Sequence, residues 1–490
     1  MIVAIMSSNI VTNTPLDFTT YHNVIAGELV PSASGETYRT VNPSTLESNP
    51  EAPVSTLEDV KKAVAAAQKA AVTWADVPWP KRRELLEQFA TAIEGLADDF
   101  SRLIVKENGK PLSWAAVEVQ SCVKFIRGFC ALSLPDRIIE DTVERKIVER
   151  FVPLGVVVGI VPWNFPLMLT IFKLPAALLT GNTFILKPSP MSPYSGLKLA
   201  ELACRFFPPG VFQALSGNDD LGPWLTGQEG IDMIAFTGSI ATGKSILRTA
   251  GLKRVILEMG GNDPAVVYPD VDIAQVVPQI AGIAFVNSGQ LCMAIKRLYV
   301  HEAIYDEFLA ALVGFVKTAL KVGDGLEEGS FIGPISHQLQ FDRVKGYLKE
   351  IEQKGLSVAL GSTEPLDRKG YYVSPIIVDN PPDDARIVTE ERFGPILPVL
   401  KWSDEADVLR RANQTEYGLG ASVWTKDPSV AARIAKKFKV GTIWINTHGE
   451  LEPNVGFPGY KSSGYGVELG EEGLRAYCSL QSTYTRPGKW

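Results

Sequence analysis

Three side chains in this 490-residue chain sit where their type and surroundings could do chemistry. Cys292 closes the run Asn287-Ser288-Gly289-Gln290-Leu291-Cys292. An isolated cysteine is most often a small buried hydrophobe, and Cys122, Cys130, Cys204 and Cys478 are read that way. The polar, glycine-containing approach to Cys292 is unlike plain core. It places the sulfur on a turn beside backbone N–H groups, an environment that favours a thiolate nucleophile. Glu258 follows the apolar residues 255–257 and precedes Met259-Gly260-Gly261. A carboxylate at a strand end beside a pocket suits a general base, although a glutamate facing solvent gives the same pattern. Pro162-Trp163-Asn164-Phe165-Pro166 reads as a rigid turn, and it puts an amide donor, Asn164, at the end of a buried strand. A fourth pattern competes with these. Gly238-Ser239-Ile240-Ala241-Thr242-Gly243-Lys244-Ser245 fits the GxxxxGK[ST] phosphate loop of nucleotide triphosphatases. No convincing second motif supplies an aspartate for magnesium, and small residues at a helix N-terminus bind other phosphates too, including a dinucleotide pyrophosphate.

These residues need a scaffold, and the chain reads as alternating strands and helices. Apolar positions at helical spacing predict helices over residues 57–76 and 80–107, with Asn108-Gly109-Lys110-Pro111 as a stop signal. From residue 151 the pattern becomes strand, turn, helix. Residues 156–161, 183–187, 211–215, 233–236 and 254–257 are short apolar strands, with helices at 167–179 and 194–206. A second block of strands follows at 265–268, 297–301, 398–401, 421–424 and 442–445. Such alternation predicts an α/β protein with two doubly wound parallel sheets, covered by helices on both faces, whose ligands lie at the carboxyl ends of the strands. Residues 151–172 carry no charge over about the length of a membrane span. Pro153, Pro162 and Pro166 argue instead for a buried strand and a turn.

Composition narrows the classes. The formal net charge of −7 disfavours nucleic acid and anionic membrane as partners. The five cysteines are odd in number and unpaired in spacing, which favours a reducing compartment and leaves no metal site. No basic leader precedes an apolar run at the start, so a cytoplasmic location is expected. None of the four histidines falls in these motifs, which disfavours Cys–His and Ser–His–Asp hydrolysis.

Taken in order, Pro162 to Pro166, Leu186-Lys187-Pro188-Ser189, Phe236-Thr237-Gly238-Ser239, Glu258 to Gly261, Gly289 to Cys292, Glu390-Glu391-Arg392-Phe393-Gly394-Pro395 and Lys461-Ser462-Ser463-Gly464 resemble the aldehyde dehydrogenase superfamily over nearly the whole chain. The resemblance implies NAD or NADP as cofactor and a small-molecule aldehyde as substrate. It makes Cys292 the nucleophile and Glu258 the base for the hydrolytic water. Asn164, with the Cys292 N–H, becomes the oxyanion donor, and Glu468 a proton relay from Glu258. Val161, Pro162, Trp163, Lys187, Ser189, Gly238, Ser239, Gly243, Glu391 and Phe393 would hold the cofactor, and the phosphate-loop pattern becomes a dinucleotide turn. Phe165, Leu169, Phe172, Met293 and Phe457 would line an apolar pocket suited to a hydrophobic or aromatic aldehyde. The implied domains are a cofactor domain (1–132 and 154–260), a catalytic domain (261–473) and a small β element (133–153 and 474–490) that assembles a homodimer or homotetramer. Two departures stand out. Pro190 occupies the place of a common ribose-binding Glu, and Gly456-Phe457-Pro458-Gly459 replaces Pro-Phe-Gly-Gly. The rival readings are a phosphate-loop triphosphatase, a silent family member with a binding role, and a CoA-acylating enzyme, which the presence of Glu258 disfavours.

Overall fold

The computed structural model describes residues 15–486 apart from residue 365, together with residue 488. Residues 1–14 of the expected cofactor domain, and residues 487, 489 and 490 of the expected β element, lie outside the described residues.

Five strands form the parallel centre of the first sheet: β1 (Val156–Ile160), β2 (Thr183–Lys187), β3 (Phe212–Ala214), β4 (Met233–Gly238) and β5 (Arg254–Met259). Their order is β3-β2-β1-β4-β5. The chain winds outward from β1 in one direction, then returns to β4 and winds in the other, which leaves a crevice at the carboxyl ends of β1 and β4. Residues 156–158 are at most 1% exposed, so the uncharged run from 151 to 172 is a central strand with a turn and a short helix. Antiparallel strands edge this sheet: the hairpin Asn23–Ile25 and Glu28–Val30 beside β3, and Gly464–Tyr465 beside β5.

The second sheet contains β6 (Asp263–Val267), β7 (Ile295–His301), β8 (Ile376–Asp379), β9 (Ile396–Trp402), β10 (Gly420–Trp424) and β11 (Thr442–Ile445), in the order β8-β9-β7-β6-β10-β11. All six are parallel, and only the added edge Val358–Leu360 runs antiparallel. The doubly wound α/β reading therefore describes both sheets, with antiparallel edges. A third, all-antiparallel sheet joins Arg137–Asp141, Lys146–Pro153 and Cys478–Thr485.

Two expected helices are broken. The helix expected over 80–107 is two, Trp79–Gly95 and Ala97–Asn108, with Leu96 (φ −114°, ψ 21°) ending one and starting the next. Gly95 weakens the first helix there, and Asp98 and Asp99 favour a fresh N-terminus. The helix expected over 167–179 is also two, Pro166–Ile171 and Leu174–Leu179. Pro175 has no N–H to donate to Ile171 and its ring collides with that carbonyl. The helix Leu57–Ala75 forms as expected, closed by a reciprocal Thr56/Asp59 capping box, with Val60, Ala63, Val64 and Ala67 buried on the first sheet.

Candidate active site

The turn after β1 carries Asn164 to the carboxyl edge of the first sheet. A completely buried ion pair, Lys110–Glu118, fixes that turn. Lys110 Nζ donates to the Asn164 carbonyl at 3.0 Å and lies 3.4 Å from the Phe165 ring centroid. Glu118 Oε1 accepts the N–H groups of Leu167 and Met168 at 3.1 and 3.2 Å, which caps the short helix behind the turn. Asn164 Nδ2 donates to the Gln290 carbonyl at 3.1 Å. An amide nitrogen has two hydrogens, so one remains for a substrate oxygen.

Cys292 stands on a loop before β7, at the amino edge of the second sheet, not at a carboxyl edge as the general rule for such sheets predicts. Asn287 (φ 49°), Ser288 (φ 58°) and Gly289 (φ 72°) form a left-handed run ahead of it. Left-handed backbone is costly for residues with a Cβ, and here neighbours hold it. Asn287 Nδ2 donates to the Asn164 carbonyl at 3.1 Å, Ser288 Oγ to the Gly333 carbonyl at 2.8 Å, and Gln290 Oε1 accepts the Ser336 N–H at 2.9 Å. Phe393 (φ 50°) and Leu469 (φ 63°, ψ 168°) also take positive φ, next in sequence to Arg392 and Glu468. Residues held in such conformations cluster at functional sites.

Glu258, near the end of β5, is 4% exposed, and its carboxyl is pushed up to about 8. Burial is the largest cause, followed by the Glu468 carboxylate, while the Cys292 thiol and Lys173 pull it down. The Cys292 thiol is raised well above its ordinary value, by burial first and then by Glu258, against the pull of Lys296. The expectation that the loop alone would favour a thiolate is thus corrected: in the resting protein, burial and a neighbouring carboxylate favour the thiol. Glu468 pairs with Lys173 Nζ at 2.5 Å, and Lys173 also donates to Thr237 Oγ1 at 2.6 Å. Lys173 escaped the sequence reading. A lone lysine in the apolar stretch 167–179 was the available signal, since such a charge must find a buried partner.

Glu391 Oε1 accepts the Gly261 N–H at 3.2 Å and lies 3.3 Å from Lys296 Nζ. Trp163 packs edge-on against Phe393 (centroids 5.3 Å apart) and against His337 (4.7 Å). Lys187, at the end of β2, is 7% exposed, and burial pushes it down to about 8. Its Nζ reaches the Pro188 carbonyl at only 3.4 Å. Such a weakly satisfied buried amine at the crevice fits the hydroxyls or phosphate of a dinucleotide. Ser189 Oγ accepts the Met191 N–H at 3.2 Å and keeps its own hydrogen free to be donated. Ser239 caps the helix Ile240–Thr249 by accepting the Thr242 N–H. Any side chain at Gly243 would collide with Met259 Sδ, so this glycine permits close helix-to-strand packing, as in dinucleotide folds. Lys244, by contrast, is exposed and faces Glu416 at 3.7 Å. Val161 extends β1 through its N–H to the Lys187 carbonyl, and Pro162 and Trp163 follow it at the crevice. The residues present therefore suit a dinucleotide across this edge.

Of the expected pocket residues, Phe165 and Met293 are partly exposed and pack, with Cys292, Trp114 and Ile283, against a buried cluster of Val286, Leu291 and Ala294. Leu169, Phe172 and Phe457 lie deeper, at 3–6% exposure. Trp114 was not foreseen; it falls on the helix Leu112–Cys130, for which the sequence reading gave no expectation. No group of His, Cys, Asp and Glu that could hold a metal occurs among the described residues.

The family model for the aldehyde dehydrogenase family matches residues 29–483. The chain is 36% identical over 478 residues to a phenylacetaldehyde dehydrogenase of Pseudomonas fluorescens, covering 94% of each chain. The NAD+ complex of an aldehyde dehydrogenase from Bacillus cereus superposes with a TM-score of 0.93 at 34% identity, covering 97% of this chain and 100% of that one. An NADP-dependent enzyme of E. coli superposes equally well, TM-score 0.93 at 31% identity, covering 96% of this chain and 99% of that one.

Proposed function

The chain belongs to the aldehyde dehydrogenase family and oxidises an aldehyde to the carboxylic acid with NAD or NADP, and we propose that it does so through a thioester on Cys292 hydrolysed with Glu258 as general base. The observation that carries this reading is that Glu258, buried, and Cys292, half-buried, come together close enough for each to act on the other's ionisation. The sulfur adds to the aldehyde carbon as the thiolate, its proton having passed to solvent, which leaves Glu258 free for the later step. The resulting oxyanion is held by the free Asn164 amide hydrogen and the Cys292 N–H. Donors of this kind typically contribute about 3–4 kcal/mol each. The nicotinamide of the bound dinucleotide supplies the hydride acceptor. With the carbon now a thioester, Glu258 removes a proton from water as the water attacks. The acid leaves, Cys292 regains its proton, and Glu468 with Lys173 carries the surplus proton onward from Glu258.

Replacing Glu258 by Gln separates the halves of the reaction. Hydride transfer is expected for about one turnover, followed by a slow steady state, with an acyl adduct on Cys292 visible in the intact mass. Full steady-state turnover without an adduct would remove Glu258 from this role.

The substrate proposed is a hydrophobic or aromatic aldehyde, since Trp114, Phe165, Ile283 and Met293, which pack with Cys292 against one apolar cluster, carry no charge, and the Pseudomonas relative is a phenylacetaldehyde dehydrogenase. Acceptance of NADP beside NAD is part of the same proposal. Pro190 cannot accept from the ribose hydroxyls or repel a 2′-phosphate as a glutamate would, and Lys187 and Ser189 offer a positive charge and a hydroxyl. Pro190→Glu should lose NADP more than NAD in kcat/KM. A parent enzyme that rejects NADP by more than about a thousandfold, or roughly 4 kcal/mol, would overturn this. A cytoplasmic, homo-oligomeric enzyme completes the proposal, supported by five free cysteines and by the apolar surface of the third sheet. Among the described residues no helix is long and apolar enough to cross a membrane.

A further inference from the structure

Lys296 has no part in the chemistry above, yet its side chain is tied to the backbone of the nucleophile itself. It is 3% exposed at the start of β7. Its Nζ donates to the carbonyls of Leu291 at 2.7 Å and Cys292 at 2.5 Å. Among the described residues its one charged neighbour within ion-pair distance is Glu391, at 3.3 Å. Glu391 in turn packs on the strand end that carries Glu258: it accepts the Gly261 N–H, and any side chain at Gly260 would overlap its carboxylate. Arg392 fixes the other end of the arrangement, donating to the Lys296 carbonyl, to the Ile387 carbonyl at 2.7 Å and to Asn262 Oδ1 at 3.1 Å. A buried cation therefore bridges the nucleophile loop and the glutamate assigned above to the nicotinamide ribose. One carboxylate cannot serve both the ammonium and a pair of ribose hydroxyls at full strength.

We propose that Lys296 is a positioning residue that holds the Cys292 loop and shares Glu391 with the cofactor, so that occupation of the ribose site turns its charge onto the Cys292 sulfur. The part that involves the cofactor rests on the assignment of Glu391 to the ribose. Both consequences of moving Glu391 have the same sign. Its negative charge, which disfavours the thiolate, moves away, and the positive charge of Lys296, which favours it, loses its counter-ion. The other charged groups around the sulfur stay in place. Glu258 faces it, with Glu468 and Lys173 behind. Asp263 and the buried His448, which bonds the Met293 carbonyl, both feel the charge of Lys296, Arg297 acts on Asp263, and Arg343 acts on Glu391. The thiol, held high in the resting protein, would then be released when a hydride acceptor is present, and an idle enzyme would be protected from adventitious alkylation.

The test reads Cys292 directly, without turnover. Carboxamidomethylation by iodoacetamide is followed by intact mass across the thiol titration range, with and without saturating NAD, and the midpoint of the pH profile is read so that shielding by the cofactor does not enter. NAD should lower the parent midpoint by about one unit, a tenfold gain in thiolate below it. Lys296→Met should raise the cofactor-free midpoint by a similar amount and lose most of the response to NAD, while Lys296→Arg keeps both near the parent. Glu391→Gln should show the lowered midpoint without NAD. A Lys296→Met protein with the parent's Tm and the parent's midpoints overturns the proposal. Should that variant not fold, an unshifted cofactor-free midpoint in Glu391→Gln overturns it instead. NAD titration by tryptophan quenching keeps the two readings apart. If Glu391→Gln binds NAD as the parent does, the ribose assignment fails, and the cofactor-free effect of Lys296→Met still decides whether Lys296 sets the sulfur.

Discussion

At the scale of single residues, the site is a contest between desolvation and a few charges, and its outcome sets a pH dependence. Glu258 is pushed up to about 8, so below that pH it is mostly the neutral acid, which cannot accept a proton from water. Thioester hydrolysis should therefore rise with pH, about tenfold per unit, and level off above about 8. The acylated sulfur does not titrate, so this limb belongs to the carboxyl. Glu468→Gln removes a negative charge that raises Glu258 and leaves Lys173 without its partner, and both changes favour the carboxylate. The midpoint should fall by about a unit, worth ~1.4 kcal/mol, while the plateau drops because the relay is cut. Single-turnover hydrolysis followed against pH decides this, and an unmoved midpoint would show that Glu468 and Glu258 are not electrostatically coupled. The residues that do the proposed chemistry were legible because Cys292, Glu258 and Asn164 sit in short motifs with few other uses. The residues that tune them were not. Lys173, Lys296 and the pair Lys110–Glu118 act through contacts made by the fold, and Glu118 is eight positions from Lys110 on a helix whose buried face only the structure identifies.

At the scale of elements, the regular parts followed from local rules and the irregular parts did not. The buried parallel strands are continuous runs of Val, Ile, Leu and Phe, which alternation or its absence reveals. The two helix breaks, at Leu96 and before Pro175, needed attention to a single glycine and a single proline. The left-handed run 287–289 had a weaker signal, one glycine among polar residues, because its cause is tertiary: hydrogen bonds to two other segments, at Asn164 and at 333–336, hold it. Gly289 makes this testable. It has φ 72°, and a Cβ there would run into the Gly394 carbonyl, which is backbone and cannot turn aside. Gly289→Ala should destabilise the protein by at least ~1–3 kcal/mol and depress kcat, since the strain is relieved by moving Cys292. Gly314 lies inside the helix Tyr305–Ala319 with nothing within 4 Å of a Cβ. Gly314→Ala should be neutral or stabilising by up to ~1 kcal/mol. Thermal unfolding of both variants checks the pair, and equal Tm values would mean that the loop is not conformationally held.

At the scale of the whole molecule, the proposed active site exists because two parallel sheets meet. The carboxyl ends of β1, β4 and β5 bring Asn164, the turn at Gly238 and Ser239 proposed for the dinucleotide, and Glu258, while the amino end of β7 brings Cys292. Alternating strands and helices predict two such sheets but not how they face each other, since no local pattern encodes the meeting of residues 258 and 292. The third sheet raises a question of the same scale. Val143 is 92% exposed and Tyr484 71%, with Ile138, Ile139 and Leu480 each more than half exposed. Both outer strands, Arg137–Asp141 and Cys478–Thr485, have one edge without a strand partner within the sheet. Exposed apolar side chains and open strand edges are liabilities in a lone chain and assets in an assembly. The expected state is therefore a dimer or tetramer with this sheet in its interface. Val143→Asp with Leu480→Asp places unpaired carboxylates where burial would cost them their hydration, and should shift sedimentation equilibrium toward smaller species at a given concentration. The active site lies on other elements, so fluorescence-detected NAD binding should persist in the dissociated protein. A double variant that sediments as the parent does would place the interface elsewhere, and a parent that sediments as a single chain at micromolar concentration would remove the oligomer altogether.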